Sequence, residues 1–438
     1  MSVNINTILN ELTIAERQKI STNLTVEYPL TPFGRKPNFF MFEIEESDDR
    51  KNAFVPFAYY YQKLLKFSSD HSFPNELRKF PKAESELTFV GTLTEKQDLV
   101  KPEVLELLKR THSCILSFHC GFGKTIFSIY LSCIIKLKTC ILAHRVNLIE
   151  QWYYSIQKVC PSANIQILNT KSPIDKSNDF FIINSANVTK RKKEDFKDIG
   201  ILIVDEAHTI CTEKLAKGLF HFQPKYMFGL TATPHRTDGM SKILELCFGP
   251  EIIERKLKRS FNVYVLKTNF VPETRTTSLG NLDWNSVLSS QCSNIQRNLL
   301  IVKIIRYFRT RNILVLCKQV KQSKTLLHYL NQLGENVDMF VSTQKKFNRD
   351  SRVLISTFSK TGVGFDHPKL DLLVIASDVE EGIEQYVGRI FRRDDTTPIV
   401  IDIVDKFRPL QNHFTTRRKL YTEVGGDVKD FQKYFFKL

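Results

Sequence analysis

The chain has 438 residues, 42% hydrophobic and 25% charged, an ordinary balance for a folded globular protein of roughly two to four domains. Lys and Arg number 63 against 47 Asp and Glu, and the formal net charge of +16 favours polyanionic partners, nucleic acid or an anionic membrane surface. No apolar run is long enough to cross a bilayer and residues 1–23 hold no signal-peptide core, so a membrane-spanning role is excluded and no membrane partner is expected.

In chain order, residues 1–87 read as a small accessory domain. They are rich in aromatics and Pro, with a cluster at Phe54, Phe57, Tyr59, Tyr60 and Tyr61. Apolar spacing predicts helices over Asn4–Leu12 and Tyr59–Phe67. The three tyrosines offer either a base-stacking surface or a domain core, and the core is the favoured reading. No chemical motif falls here.

From Thr88 short apolar runs alternate with amphipathic stretches. Cys114–Phe118, Thr139–Ala143, Asp179–Asn184, Ile199–Val204 and Lys225–Leu230 read as buried strands, and the alternation argues for βαβ units and a parallel sheet over residues 88–256. After Phe248-Gly249-Pro250 a polar, less periodic stretch to about Asn298, with Pro272 and Gly280, reads as a linker or an inserted hairpin. Strands resume at Asn312–Leu316, Arg352–Ser356, Leu370–Ser377 and Pro398–Val404, so residues 257–438 form a second α/β domain. The nine cysteines, Cys114, Cys120, Cys133, Cys140, Cys160, Cys211, Cys247, Cys292 and Cys317, lack the spacing of a zinc or redox motif. Several fall in apolar runs, which points to free thiols in a reducing, intracellular compartment, with cytoplasm, nucleus and virion all open.

Two motifs carry chemistry on their own terms. Cys120-Gly121-Phe122-Gly123-Lys124-Thr125 follows a strand and precedes the apolar stretch Ile126–Ile135. Strand, Gly-rich loop and helix form a phosphate cradle: Gly121 and Gly123 let backbone amides approach phosphate oxygens, and the helix N-terminus adds its own free amides. Lys124 would reach the β- and γ-phosphates of ATP, and Thr125 would place its hydroxyl on Mg²⁺. Phe118 stands where such loops usually have their first glycine. The second motif, Ile201-Leu202-Ile203-Val204-Asp205-Glu206-Ala207-His208, is a buried strand ending in two carboxylates. Asp205 suits Mg²⁺, and Glu206 suits the water that attacks the γ-phosphate.

Asp-Glu-Ala-His after a phosphate loop resembles the superfamily-two helicases, and further matches follow in that family's order. Gln97 falls where the family reads adenine. Thr231-Ala232-Thr233 resembles the third motif, which with His208 would couple hydrolysis to strand grip. Ser356-Thr357-Phe358-Ser359-Lys360-Thr361-Gly362-Val363-Gly364-Phe365-Asp366 looks like motif five, whose Gly364 and Asp366 would touch the nucleotide. Gln385-Tyr386-Val387-Gly388-Arg389-Ile390-Phe391-Arg392 looks like motif six. Arg389 and Arg392, three apart, would share a helix face, and the resemblance makes them arginine fingers beside the catalytic Gln385.

The resemblance covers roughly residues 88–405 and implies two RecA-like lobes, ATP and Mg²⁺ as cofactors, and a monomeric motor. Arg145, Ser185 and Thr357 would hold phosphates of the nucleic acid, while Lys190-Arg191-Lys192-Lys193 and Arg417-Arg418-Lys419 offer added attraction. Gln151-Trp152 resembles the duplex-DNA motors. Thr-Ala-Thr-Pro-His-Arg-Thr-Asp-Gly is similar to the XPB/UvsW group and to the transcript-release helicases of poxviruses and other large DNA viruses. The expectation is a DNA-stimulated ATPase that unwinds or remodels duplexes. An RNA helicase, a motor acting on a transcription complex, a restriction-enzyme motor subunit and a non-hydrolysing nucleic-acid-binding module are the alternatives.

Overall fold

The computed structural model describes residues 2–9, 11–28, 38–47, 50–67, 78–119, 121–210, 212–232, 240–342, 344, 346–361, 365, 367–380, 382–393 and 395–434. Two compact units divide the chain, one of residues 1–118 and 122–255 and the other of 119–121 and 256–438.

The first unit begins with β1 (Ser2–Asn4), α1 (Asn6–Leu9) and α2 (Ile14–Asn23), followed by β2 (Thr25–Val26), β3 (Phe39–Phe40), β4 (Glu43–Ser47) and β5 (Arg50–Pro56). The strands make an antiparallel sheet in the order β1-β5-β4 and an antiparallel β2-β3 pair. The helix expected over Asn4–Leu12 is a single turn, because Thr13 starts a new helix. Its hydroxyl accepts the Glu16 amide at 3.3 Å while the Glu16 carboxylate accepts the Thr13 amide at 2.8 Å, a capping box. The helical segment Phe57–Phe67 changes pitch from α to π to 3₁₀. Phe57, Tyr59 and Tyr60 are buried there. They join Val3, Ile5 and Phe54 in one core with Leu202, Met227 and Phe248 of the following domain. A base-stacking surface at Tyr59 and Tyr60 is thereby set aside.

That domain has β6 (Ser113–Phe118), β7 (Thr139–Ala143), β8 (Ile165–Leu168), β9 (Phe180–Asn184), β10 (Ile201–Val204), β11 (Tyr226–Thr231) and β12 (Ile252–Arg255). They form a sheet in the order β12-β6-β11-β10-β7-β9-β8, every pair parallel. The helices α3 (Glu95–Thr111), α4 (Lys124–Ile135) and α5 (Val146–Val159) connect and cover it. Central strands covered on both faces are predominantly apolar, which is why β6, β7 and β10 read as apolar runs broken only by Ser113, Ser117 and Thr139 and are buried at every residue. The edge strands β8 and β12 are only partly buried and carry Gln166 and Glu254, so apolar runs do not reveal them.

The second unit has β13 (Phe261–Lys267), β14 (Ile313–Cys317), β15 (Val337–Phe340), β16 (Val353–Thr357), β17 (Leu372–Ile375), β18 (Ile399–Val404) and β19 (Gly426–Asp430), ordered β15-β16-β14-β17-β18-β13-β19 and again all parallel. The stretch after Pro250 is therefore not a linker: its β13 lies between β18 and β19. The alternating pattern of β13 hid it among polar neighbours. A hairpin-like turn does occur, where Thr276 and Leu282 bridge antiparallel around Gly280 at φ +78°.

Among the described residues no helix is long and apolar enough to cross a membrane. The seven described cysteines are unpaired and buried, while Cys120 and Cys211 lie outside the described residues. The basic runs are less available than their composition implies. On α6 (Ile383–Val387) and α7 (Arg408–Glu423) no arginine is more enclosed than Arg417 of α7, which is 1% exposed. Its guanidinium donates to Asp402 at 2.9 Å and to Asp378 at 3.0 Å, and Tyr421 donates to Asp402 at 2.8 Å. Arg191 pairs with Asp195 at 2.9 Å, and Lys193 pairs with Glu43 at 2.6 Å. Arg417→Met strands Asp402 and Asp378 as buried charges and is expected to cost about 3–5 kcal/mol in denaturant melts, whereas exposed Arg418→Ala should stay within about 0.5 kcal/mol.

Candidate active site

Between β6 and α4 the chain turns through Gly121 at φ +91° and Gly123 at φ +89°, left-handed conformations that a side chain would strain. Gln97 locks this loop from α3. Its amide nitrogen donates to the carbonyls of Phe122 at 3.0 Å and Gly123 at 3.3 Å, while its amide oxygen accepts the Thr94 amide at 2.9 Å. A Cβ at Gly123 would lie 2.5 Å from the Gln97 nitrogen, so a side chain at position 123 would be strained by its φ and would displace the Gln97 amide from the loop. Phe118, at the usual glycine position, is fully buried and packs on Phe122 with ring centroids 4.2 Å apart. The departure thus fills the core beneath the loop. Lys124 opens α4, and its ammonium donates to the Phe118 carbonyl at 2.7 Å. Thr125 follows, half-buried, and Cys120 lies outside the described residues.

Asp205 and Glu206 follow β10 directly, two strands from β6 across β11. Asp205 is 7% exposed, and each of its oxygens accepts one N–H: Oδ1 the Glu206 amide at 3.0 Å, Oδ2 the Trp152 indole at 2.8 Å. Burial first, then the Glu206 carboxylate, pushes the Asp205 carboxyl up to about 6, against the lowering pull of Trp152 and Lys124. Glu206 sits at φ +49°, a conformation that costs a non-glycine residue on the order of 1–3 kcal/mol. Thr209 holds the turn by donating to the Glu206 carbonyl at 2.8 Å. Glu206 Oε2 is buried without a hydrogen-bond partner among the described residues, 3.5 Å from His208 Nδ1. His208 Nδ1 meets the Thr231 hydroxyl at 2.9 Å, joining the ends of β10 and β11, while Thr233 lies outside the described residues. Burial and the adjacent Arg145 lower the His144 imidazole to about 4.

The remaining positions divide. Arg145 is exposed at the N-cap of α5, after β7, and Ser185 is buried just past β9, so both share the carboxyl edge of the sheet with Asp205. In the second unit Thr357 ends β16, buried, its hydroxyl 3.3 Å from that of Ser359. Gly364 and Asp366 lie outside the described residues. Arg389 and Arg392 do not share a helical face: α6, which carries Gln385, ends at Val387, residues 388–390 form a 3₁₀ turn, and Arg392 lies beyond it. The α-helix tightens to a 3₁₀ turn at Gly388, and the buried Arg389 guanidinium is drawn to the Phe365 carbonyl. Trp152 is the site residue that residue-by-residue reading missed. Its signal was present in Gln151-Trp152, read there for resemblance alone.

Residues 90–236 match the family model described as type III restriction enzyme, res subunit (ResIII). The protein named "Putative helicase 161L" of Invertebrate iridescent virus 6 is 36% identical over 409 residues, spanning 87% of this chain and 90% of that protein. The chain belongs to the superfamily-two helicases, in their viral branch. Transcript termination protein A18 of Yaba monkey tumor virus (strain VR587) is 27% identical to this helicase over 340 residues, 68% of this chain and 69% of A18. The solved structure of S. cerevisiae Dbp5 bound to RNA and ADP BeF3 matches its fold with a TM-score of 0.53 at 15% identity, covering 78% of this chain and 90% of Dbp5. The two parallel sheets are RecA-like lobes, and membership of the family implies an ATP-dependent enzyme.

Because the fold raises the Asp205 pKa above its unfolded value near 3.8, it favours the protonated form. The associated stability is full below that value and is lost as pH rises through about 6. In metal-free buffer the melting temperature of Asp205→Asn should therefore gain on that of the parent across this window, and a constant gap would contradict the shift.

Proposed function

We propose that this helicase hydrolyses Mg²⁺-ATP to move along DNA and to unwind or remodel duplexes. The observation that carries the reading is the meeting of Lys124, Asp205 and Glu206 at one edge of the first sheet, with Lys124 near enough to draw the Asp205 pKa down. Gly121, Phe122 and Gly123 present amides to the phosphates, Lys124 neutralises the β- and γ-phosphates, and Glu206 takes the proton of the attacking water. Gln97 is assigned the adenine edge as well as the loop. Gln385, Arg389 and Arg392 are assigned the stabilisation of transition-state charge, and His208 with Thr231 the coupling to strand grip.

The residues fit a magnesium ion. Asp205 and Glu206 are hard oxygen donors, and Glu206 Oε2 is buried without a hydrogen-bond partner among the described residues. Thr125 and Asp205 would hold it, and it would offset charge on the β- and γ-phosphates.

Arg145, Ser185 and Thr357 are assigned to phosphates of the nucleic acid, a grip without base readout. Residues 1–87 are assigned as an accessory domain, 88–256 as the ATP-binding lobe and 257–438 as the C-terminal lobe. DNA is preferred through the resemblance to the XPB/UvsW group. Trp152 is buried, so in the Gln151-Trp152 pair only Gln151 remains exposed to contact a strand. Likeness to the transcript termination protein A18 supports a place in transcription.

ATP hydrolysis is to be measured with no nucleic acid, duplex DNA, single-stranded DNA and RNA at several salt concentrations. Stimulation by DNA that falls steeply with salt is expected, and Lys124→Ala should lower turnover by about 10²-fold or more. Equal or greater stimulation by RNA would make this an RNA helicase, and normal turnover by Lys124→Ala would remove the ATPase reading.

A further inference from the structure

We propose that Trp152 is a positioning residue for Asp205, fixing the carboxylate in the orientation that receives the metal. The proposal rests on the reading of Asp205 as a magnesium holder. Trp152 lies two turns into α5, 1% exposed, while Asp205 directly follows the strand β10, which pairs with β7 just before that helix. An indole has one polar atom, and it can only donate. Here it donates to Asp205 Oδ2 at 2.8 Å, with both partners buried.

The geometry argues for orientation rather than mere burial of a ring. A carboxylate offers about four lone-pair positions. Two are taken, one per oxygen, by N–H groups from different elements: the Glu206 amide on Oδ1 at 3.0 Å and the Trp152 indole on Oδ2 at 2.8 Å. Rotation of the carboxylate plane breaks both bonds, so the two free lone pairs are held in fixed directions. The amide alone is a weak guide, because it belongs to the adjacent residue and moves with it. Trp152 supplies the distant reference point. Neither donor is a cation, so the carboxylate keeps its charge for a ligand, whereas a lysine or arginine in this place would neutralise it. A phenylalanine would fill most of the same space and leave Oδ2 without a partner.

The test uses the full chain with Trp152→Phe. The Mg²⁺ concentration giving half-maximal ATP hydrolysis is expected to rise roughly 10–100-fold, as for loss of other groups that orient metal ligands, with KM for ATP at saturating Mg²⁺ little changed. By calorimetry, ADP binding without Mg²⁺ should persist while the gain in affinity on adding Mg²⁺ shrinks. Should Trp152→Phe melt early, benzothienylalanine at position 152 keeps the bicyclic shape and replaces only the N–H. Asp205→Asn, alone and combined with Trp152→Phe, closes a cycle: if Trp152 acts through Asp205, the double variant is no worse than Asp205→Asn. Losses that add independently would overturn the proposal, as would an Asp205→Asn effect on Mg²⁺ dependence that Trp152→Phe does not share. Unchanged Mg²⁺ dependence in Asp205→Asn would instead remove the metal reading of the site, and the proposal with it.

Discussion

Parallel strands impose a direction on everything around them. Each must be apolar along its length when both sheet faces are covered, and each ends at the same edge. Charged and hydrogen-bonding residues are therefore pushed out of the strands and gather where the strands stop. In the first lobe the loop after β6, His144 and Arg145 after β7, Ser185 after β9, Asp205 and Glu206 after β10, and Thr231 at the end of β11 share one rim. Residues spread along the chain become neighbours because their strands are neighbours in the order β6-β11-β10-β7-β9.

At that rim the chain buries a carboxylate that its surroundings disfavour. Burial raises the Asp205 pKa, and two N–H groups with Lys124 resist it. Glu206 takes a left-handed backbone that its side chain disfavours. These are costs concentrated in two adjacent residues, and the buried strand β10 that they follow, flanked by β11 and β7, is what holds them in place. The glycine loop between β6 and α4 is constrained in the same way, with Gln97 bonded to its carbonyls and Phe118 packed beneath it.

Basic charge also divides into two kinds. Arg297 is buried against Asp405 at 2.9 Å, and Arg417 against Asp402 and Asp378. These pairs tie helices to β18 and to the residues that follow β17 and β18 inside the second lobe. Each of these buried arginines is matched by at least one buried aspartate, so the net charge of +16 lies elsewhere, on exposed residues such as Arg145 and Arg418.

The sequence by itself determined the α/β class, the central strands and the placement of the glycine loop and the acidic pair at strand ends, because those features are local: an apolar run marks a doubly covered strand, and a loop between strand and helix needs its glycines in order. Edge strands β8, β12 and β19 and the alternating β13 were not legible, since half-exposed strands carry polar residues that look like loop. Only the tertiary structure decided that Arg417 is a core residue while Arg418 is not, that α6 stops before Arg392, and that Trp152 reaches Asp205. Each of these depends on which groups from distant segments meet in a buried space. There a lone polar atom is costly enough to select its partner, and no spacing along one segment records that choice.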